Sequence, residues 1–353
     1  MAPGKAGARP PFLHPNNEAS FATACQPARR MLASPTSPLR FSAPAAHRVT
    51  PPAPTPGVAT GDAVKHVVRP CAPPTPVGGV FFSGAALADT ARRRQPCNPM
   101  YIGTAAWSIP RAVAGAFPGD GQHLERYARQ FACAEINSSF HRSHQPATYA
   151  RWAAMTPAHF RFAVKLPRAI THDARLRGAR KPLRTFLAEA AGLGDRLGVL
   201  LVQLPPSLAW DARTARTFFG LLRESWDGPV ACEPRHASWF EPAADRALAR
   251  LRVSRVAADP ARPDAAARPG GWLGPDGDGA GALLYYRWHG SPRVYWSSYG
   301  DDWLAGKAEA LSAWPAGAVP WVIFDNTASG AATANALALR SLVAADGDGL
   351  KAP

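Results

Sequence analysis

Cysteine is scarce: five residues in 353 (Cys25, Cys71, Cys97, Cys133 and Cys232), with no CxxC pair and no zinc-ligand spacing. That excludes a disulfide-stapled scaffold and a zinc ribbon, and it points to a reducing compartment, expected to be the cytoplasm. Long apolar runs are missing too. None reaches the ~18 residues of a membrane span, and the start of the chain lacks the charged-then-apolar order of a secretory signal. There is no glycine-rich phosphate loop, no GxSxG elbow and no strand-associated GxGxxG. P-loop, α/β-hydrolase and dinucleotide chemistries are therefore not indicated.

Acidic residues are rare at one end. Residues 1–98 hold 11 Lys/Arg against 3 Asp/Glu, while the remainder holds 29 against 22, so +8 of the formal +15 sits in the first quarter. That quarter is rich in Pro, Ala, Arg and Ser ("PTSPLRFSAPAAHRVTPPAPTPG") and has no sustained periodicity. It cannot bury enough apolar surface to offset its ordering entropy, so a disordered extension is expected over 1–98. A transit peptide and a non-native extension fit that composition equally, and no function is assigned to it. A sequence pI near 10.3 raises nucleic acid as a partner. Much of that excess charge lies in the extension, which weakens the inference.

From residue 99 the texture changes, and 46% hydrophobic content supplies a sizeable core. Eight apolar strand candidates follow one another at 100–107, 133–139, 161–167, 198–205, 229–236, 253–259, 282–290 and 320–326. Helical candidates lie between most of them, at 122–131, 146–155, 183–196, 211–225, 241–251 and 331–344. This rhythm over about 250 residues predicts an α/β fold, a single (β/α)8 TIM barrel over 99–345 followed by a disordered tail over 346–353. A doubly wound open sheet usually stops at five or six strands. "GGWLGPDGDGAGA" reads as a surface loop before the seventh strand.

In such a barrel, catalytic groups sit at the C-terminal ends of the strands and alternate residues point inward. "ACEPRHASWF" (231–240) then becomes intelligible: Glu233 and Arg235 share a face at the end of the fifth strand, while His236, on the other parity, props the next loop. Glu135 and Asn137 share a face on the second strand. Lys165 ends the third and Gln203 the fourth, Tyr285, Arg287 and His289 share a face on the seventh, and Asn326 closes the eighth. The result is a polar ring of Glu135 and Glu233 against Lys165, Arg235 and Arg287, with His289 titratable. Charges so enclosed must pair or cost several kcal/mol each. About one positive charge is left over, which invites a phosphate or carboxylate. Glu135 and Glu233 are the acid/base candidates, His289 a proton shuttle, and the arginines and Lys165 anion clamps. A plain ion-pair network plugging the barrel is the bland reading of the same residues.

Two loops adjoin the ring. "KLPRAITHD" (165–173) adds Arg168 and His172, and "HGSPRVYWSSYGDDWL" (289–304) spaces Tyr295, Tyr299 and Trp303 four apart, either a helical pocket wall or a core stripe. Glu135, His141, His144, Glu233, Asp259 and His289 could supply ligands to a divalent metal. The interleaved cations would repel one, so no cofactor is expected.

Seven blocks in order, "GTAAWS", "LERYARQFACAEINSSFHR", "WAAMTPAHFRFAVKLPRAITHD", "LGVLLVQLPPSL", "EPRHASWF", "YYRWHG" and "FDNTASGAATANAL", resemble the YecE-like family, catalogued as domain of unknown function seventy-two. The match covers about residues 101–345. It implies a TIM-barrel fold and carries over no established activity. Glu135, Asn137, Lys165, Arg168, His172, Gln203, Glu233, Arg235, His236, Arg287, His289, Gly290 and Asn326 all stand in the matched blocks. The departures are Ala105 and Ala106 in the first block, His141, Pro234, and Asp325 where an amide is typical.

The expected function is a TIM-barrel enzyme, a hydrolase or lyase by preference, acting on a small anionic, phosphorylated or carboxylate and sugar-like substrate. Glu135, Glu233, His289 and Lys165 are its catalytic candidates. Asn137, Arg168, His172, Gln203, Arg235, His236, Arg287 and Asn326 are its binding candidates. A Schiff-base role for Lys165 is a further possibility, since neighbouring cations lower its pKa. A nucleic-acid-binding or processing protein and a non-catalytic ligand-binding barrel are the alternatives.

Overall fold

The computed structural model describes residues 100–346. The extension expected over 1–98, and the tail beyond 346, lie outside the described residues. All eight strand candidates form strands: β1 (Tyr101–Thr104), β2 (Cys133–Ile136), β3 (Arg161–Lys165), β4 (Leu197–Gln203), β5 (Val230–Glu233), β6 (Val253–Arg255) with β7 (Ala257–Asp259), β9 (Leu283–Trp288) and β10 (Val319–Phe324). The sixth candidate divides at Val256, whose amide donates to the Cys232 carbonyl. The expected loop before β9 contributes a short strand of its own, β8 (Gly270–Gly271), antiparallel to β6.

One sheet runs β2-β3-β4-β5-β6-β8 and the other β1-β10-β9-β7, with every pairing but that of β8 parallel. A parallel bridge between Ala105 and Glu135 joins the end of β1 to β2. The fold is thus mixed α/β with parallel sheets. Parallel pairing needs crossovers, and the helices supply them: α1 (His123–Ala128), α2 (Ser138–His141), α3 (Pro146–Ala154), α4 (Arg180–Ala190), α5 (Ala212–Arg223), α6 (Pro242–Arg250), α7 (Asp301–Ser312) and α8 (Ala331–Asp346).

Alternation along the strands makes two apolar clusters. Cys133, Ala163, Val199, Leu201, Ala231, Leu283, Tyr285, Trp321 and Ile323 pack together on one face. Ala134, Phe162, Val164, Leu200, Val202, Cys232, Leu284, Val322 and Phe324 pack on the other with helical residues such as Leu183, Phe186, Phe218 and Leu222. Strands buried on both faces read as continuous apolar runs, as these do in the sequence. Helix α7 falls outside the expected helices. It begins only at Asp301, with Asp301 and Asp302 in its first turn, where acidic side chains complement the helix dipole. The helical wall considered for Tyr295, Tyr299 and Trp303 therefore does not exist. Tyr295 lies in the preceding loop at φ +65°, while Tyr299 stacks on Trp303 in the core at 3.8 Å between centroids.

Between β1 and β2 the chain is held by Tyr127 of α1, whose buried hydroxyl accepts from the Thr104 amide at 2.8 Å and donates to the Cys133 carbonyl at 3.2 Å. The same approach leaves no room beside Gly103, where an added Cβ would overlap that carbonyl. Gly103→Ala should cost about 1–3 kcal/mol. Urea unfolding checks it, the midpoint falling while the slope stays fixed.

Candidate functional site

The inner-face parity continues past the apolar cluster into charge. Beyond Ala163 comes Lys165, beyond Leu201 Gln203, beyond Ala231 Glu233, beyond Tyr285 Arg287, and beyond Ile323 Asp325. Arg287 is the hub and is fully buried. Its Nε and Nη2 donate to the two oxygens of Glu135, at 3.0 and 2.7 Å. Nη1 donates to Glu233 Oε2 at 2.7 Å, and Nη2 also reaches Asp325 Oδ2 at 2.9 Å. Tyr285 adds a hydroxyl donor to Glu135 Oε2 at 2.9 Å.

His289 stands above the hub with Nδ1 3.0 Å from Asp325 Oδ2 and Nε2 3.0 Å from Glu233 Oε1. A ring with a carboxylate at each nitrogen can satisfy both only as the imidazolium, which donates twice. Arg235, from the same segment as Glu233, places Nη2 3.6 Å from Glu233 Oε1 and donates to the Tyr295 hydroxyl at 3.1 Å. The Tyr295 ring stands edge-on to His289, with centroids 5.6 Å apart. Lys165 is buried, its Nζ 4.1 Å from the centre of the Phe140 ring.

The electrostatics follow. Burial opposes the charge on Glu233, but Arg287, Arg235 and His289 outweigh it and hold the carboxyl well below the usual range. Burial likewise opposes Asp325, and Arg287 and His289 bring it down to about 2. For His289 burial disfavours the cation, yet Glu233 and Asp325 prevail and raise its pKa. Lys165 goes the other way. Burial and then Arg287 push it down to about 8 against the pull of Asp325, Glu135 and Glu233.

Asp325 is the member that the sequence reading did not place in the ring. Its signal was there, since Trp321, Ile323 and Asp325 share one parity and Asn326 falls on the other. Its carboxylate removes the surplus charge expected from Glu135 and Glu233 alone. The ring balances with His289 neutral and carries one net positive charge with it protonated.

Several expected positions are corrected. Arg287 is enclosed and its donors engage three carboxylates, so it orders the ring and cannot clamp a ligand. Asn326 donates to Ser297 O and Asn335 Oδ1 and so anchors the 297–299 loop. His236 accepts the Ser238 amide at Nδ1 and caps the turn after β5. Arg168 pairs with Asp173 at the surface at 3.2 Å. His172 lies edge-on to Phe140, the ring that underlies Lys165, with 4.9 Å between centroids. Gln203 is buried at the end of β4, in register with Glu233. Asn137, at the end of β2, has a buried Oδ1 with no partner. Of the considered metal ligands, His144 bonds Ser138 Oγ at 2.8 Å and Asp259 accepts from Tyr299 at 2.8 Å. Among the described residues no cluster of three or more His, Cys, Asp or Glu could hold a metal ion, and no helix is long and apolar enough to cross a membrane.

A parallel α/β protein with a buried charged ring at the C-terminal strand ends is the class these features define. The model of the family described as "Protein of unknown function DUF72" matches residues 101–353, and the chain belongs to that family. The UPF0759 protein YecE of Escherichia coli K12 is 33% identical over 177 residues, 48% of this chain and 62% of that relative's length. The UPF0759 protein YunF of Bacillus subtilis is 23% identical over 149 residues, 40% and 53%. Solved DUF72 family structures from Enterococcus faecalis (TM-score 0.56, 19% identity, covering 69% of this chain and 95% of that one) and Thermotoga maritima (0.55, 22%, 70% and 99%) share the fold.

Removing the hub should expose its energetic role. Arg287→Ala leaves three buried carboxylates without their counter-ion and should cost about 3–5 kcal/mol, read by chemical denaturation. Stability should also have a defined pH window. Glu233 and Asp325, with folded pKa values below their unfolded ones, stabilise above about pH 4 and lose this as pH falls through the folded values, about 2 for Asp325. His289, raised on folding, contributes fully below about pH 6.5, and that contribution is lost as pH rises through its folded pKa. A scan of melting temperature against pH should therefore decline above neutrality, and His289→Gln should flatten that decline.

Proposed function

We propose that the two sheets are parts of one closed (β/α)8 barrel. The Ala105–Glu135 bridge at one seam and the continuation of β6 into β7 at the other support closure. The C-terminal mouth of this barrel binds a small anionic substrate, phosphorylated or carboxylate. One observation carries the reading: Arg287 and His289 engage the carboxylates at 2.7–3.0 Å, while Arg235 reaches Glu233 only at 3.6 Å and the buried Lys165 has no carboxylate within ion-pair distance among the described residues. Arg235 is the more exposed cation, its side chain 30% accessible and meeting only the Tyr295 hydroxyl and the distant edge of Glu233. With His289 protonated the ring holds one net positive charge, which a monoanion completes.

In this reading Arg235 and Lys165 fix the anion, and His289 and Glu233 exchange a proton across 3.0 Å. Asp325 holds the imidazole in orientation through Nδ1. Glu135, both of whose oxygens engage Arg287, acts by positioning. A hydrolase or lyase in the cytoplasm is the corresponding activity, with the buried free thiols of Cys133 and Cys232 in keeping with that compartment.

Thermal-shift measurement of the full chain against inorganic phosphate, phosphorylated sugars and small carboxylates tests the reading. A ligand at 100 times its Kd should stabilise by about 2.7 kcal/mol, and Arg235→Ala should abolish the shift. Stabilisation by short nucleic acids with none by small anions would overturn it.

A further inference from the structure

We infer that Lys165 is a nucleophile that captures the carbonyl carbon of a small anionic aldehyde or ketone as a protonated imine. The inference rests on the anion-binding mouth proposed above for the placement of the substrate's charge.

The chain uses arginine for nearly all its positive charge: 34 arginines and six lysines (Lys5, Lys65, Lys165, Lys181, Lys307 and Lys351). Arginine keeps its proton in proteins, whereas a lysine that loses one becomes a nucleophile. In this chain the position on the inner face at the end of β3 is a lysine. Its surroundings differ from those of a structural counter-ion. Among the described residues Nζ has no hydrogen bond and no carboxylate within ion-pair distance; its close neighbour is the Phe140 ring at 4.1 Å. The fully enclosed polar atoms without a partner are Asn137 Oδ1, Tyr149 OH, Arg196 Nε and Asn326 Oδ1. Lys165 as a residue keeps 9% of its surface accessible.

The groups that face Lys165 are Glu135 of β2, Glu233 of β5, Arg287 of β9 and Asp325 beyond β10. Burial and Arg287 prevail, so the ammonium sits near pKa 8 and about a tenth of it is free amine at pH 7. An ordinary lysine at about 10.4 offers less than about a thousandth. Asp325, which contacts His289 Nδ1 at 3.0 Å, is also within electrostatic reach of Lys165.

The step balances without an oxidant or reductant. The neutral Nζ attacks the carbonyl carbon, the new N–C bond forming as the C=O π pair moves onto oxygen. Protonated His289 supplies that oxygen with a proton, and the nitrogen releases its extra proton to Glu233 or solvent. The carbinolamine hydroxyl takes a second proton and leaves as water while the nitrogen lone pair forms the C=N bond. Overall one ammonium and one carbonyl give one iminium and one water. The iminium then draws electrons from an adjacent C–H or C–C bond, the chemistry of a lyase.

The experiment treats the full chain at pH 7 with glyceraldehyde, or with glyceraldehyde 3-phosphate, reduces it with borohydride, and locates the added mass by peptide mapping. Lys165 should be modified at least about tenfold faster than the exposed Lys181, at a rate that rises with pH and levels off above about 8. Lys165→Arg, with its fold verified by circular dichroism, should remove that site alone. Modification of Lys165 no faster than Lys181 overturns the inference, even where anions still stabilise the protein. The two readings separate through the phosphate. If glyceraldehyde labels Lys165 while its phosphate gains no advantage and Arg235→Ala changes nothing, the imine stands and the anion mouth falls.

Discussion

Everything at the strand ends depends on one buried guanidinium. Arg287 comes from the four-stranded sheet, as does Asp325 beyond the end of β10, while Glu135 and Glu233 come from the six-stranded one. The four hydrogen bonds of Arg287 therefore tie the two sheets together through charge, in a region where apolar packing has given way. Desolvating such ions is costly, and a buried network of this kind can be no more stabilising than well-packed hydrophobic residues. What it does supply is uniqueness. A slip of one residue in any participating strand would turn its charge onto the apolar outer face, so the ring fixes register as well as tertiary pairing.

The network also explains the shape of the site. A fork-to-fork pair with Glu135 uses two N–H groups, and two more reach Glu233 and Asp325. That leaves His289, together with Lys165, as a group through which proton changes enter. Its two nitrogens bridge the same carboxylates from above, so its charge state sets the net charge of the mouth. Tyr295 stands over it edge-on and receives the Arg235 donor. Tyr299, meanwhile, locks the end of β9 by accepting the Gly290 amide and donating to Asp259.

Much of this was legible in the sequence because alternation in a doubly buried strand is a strict rule. All eight strand segments, and ring members on β2, β3, β4, β5 and β9, follow from parity and strand ends alone. The failures have physical causes. Asn326 closes the apolar run by position, but Asp325 shares the parity of Trp321 and Ile323 and so faces the ring. The fate of Arg287 was not readable, since saturation of a guanidinium depends on three carboxylates distant in sequence. Tyr295 and Tyr299 share a helical spacing, but a left-handed backbone at Tyr295 and a helix starting only at Asp301 separate them.

The division between saturated and unsaturated cations carries the functional meaning. Arg287 and a protonated His289 contact all three buried carboxylates and leave one negative charge. Of Lys165 and Arg235, one balances that charge and the other is in excess of it. Lys165 in particular is held against its own charge by burial, with an aromatic face beneath it and no carboxylate in contact. An ammonium kept in that condition is a poor structural element and a good chemical one, because the cost of enclosing its charge is relieved when it becomes neutral or meets an anion. Groups whose environments push their pKa values apart mark acid and base roles in enzyme sites. Here Lys165 is lowered and His289 is raised within one ring, with Asp325 between them. That opposition, a lysine driven toward the neutral amine in the same ring as a histidine driven toward the cation, is one that a purely structural salt-bridge plug would not require.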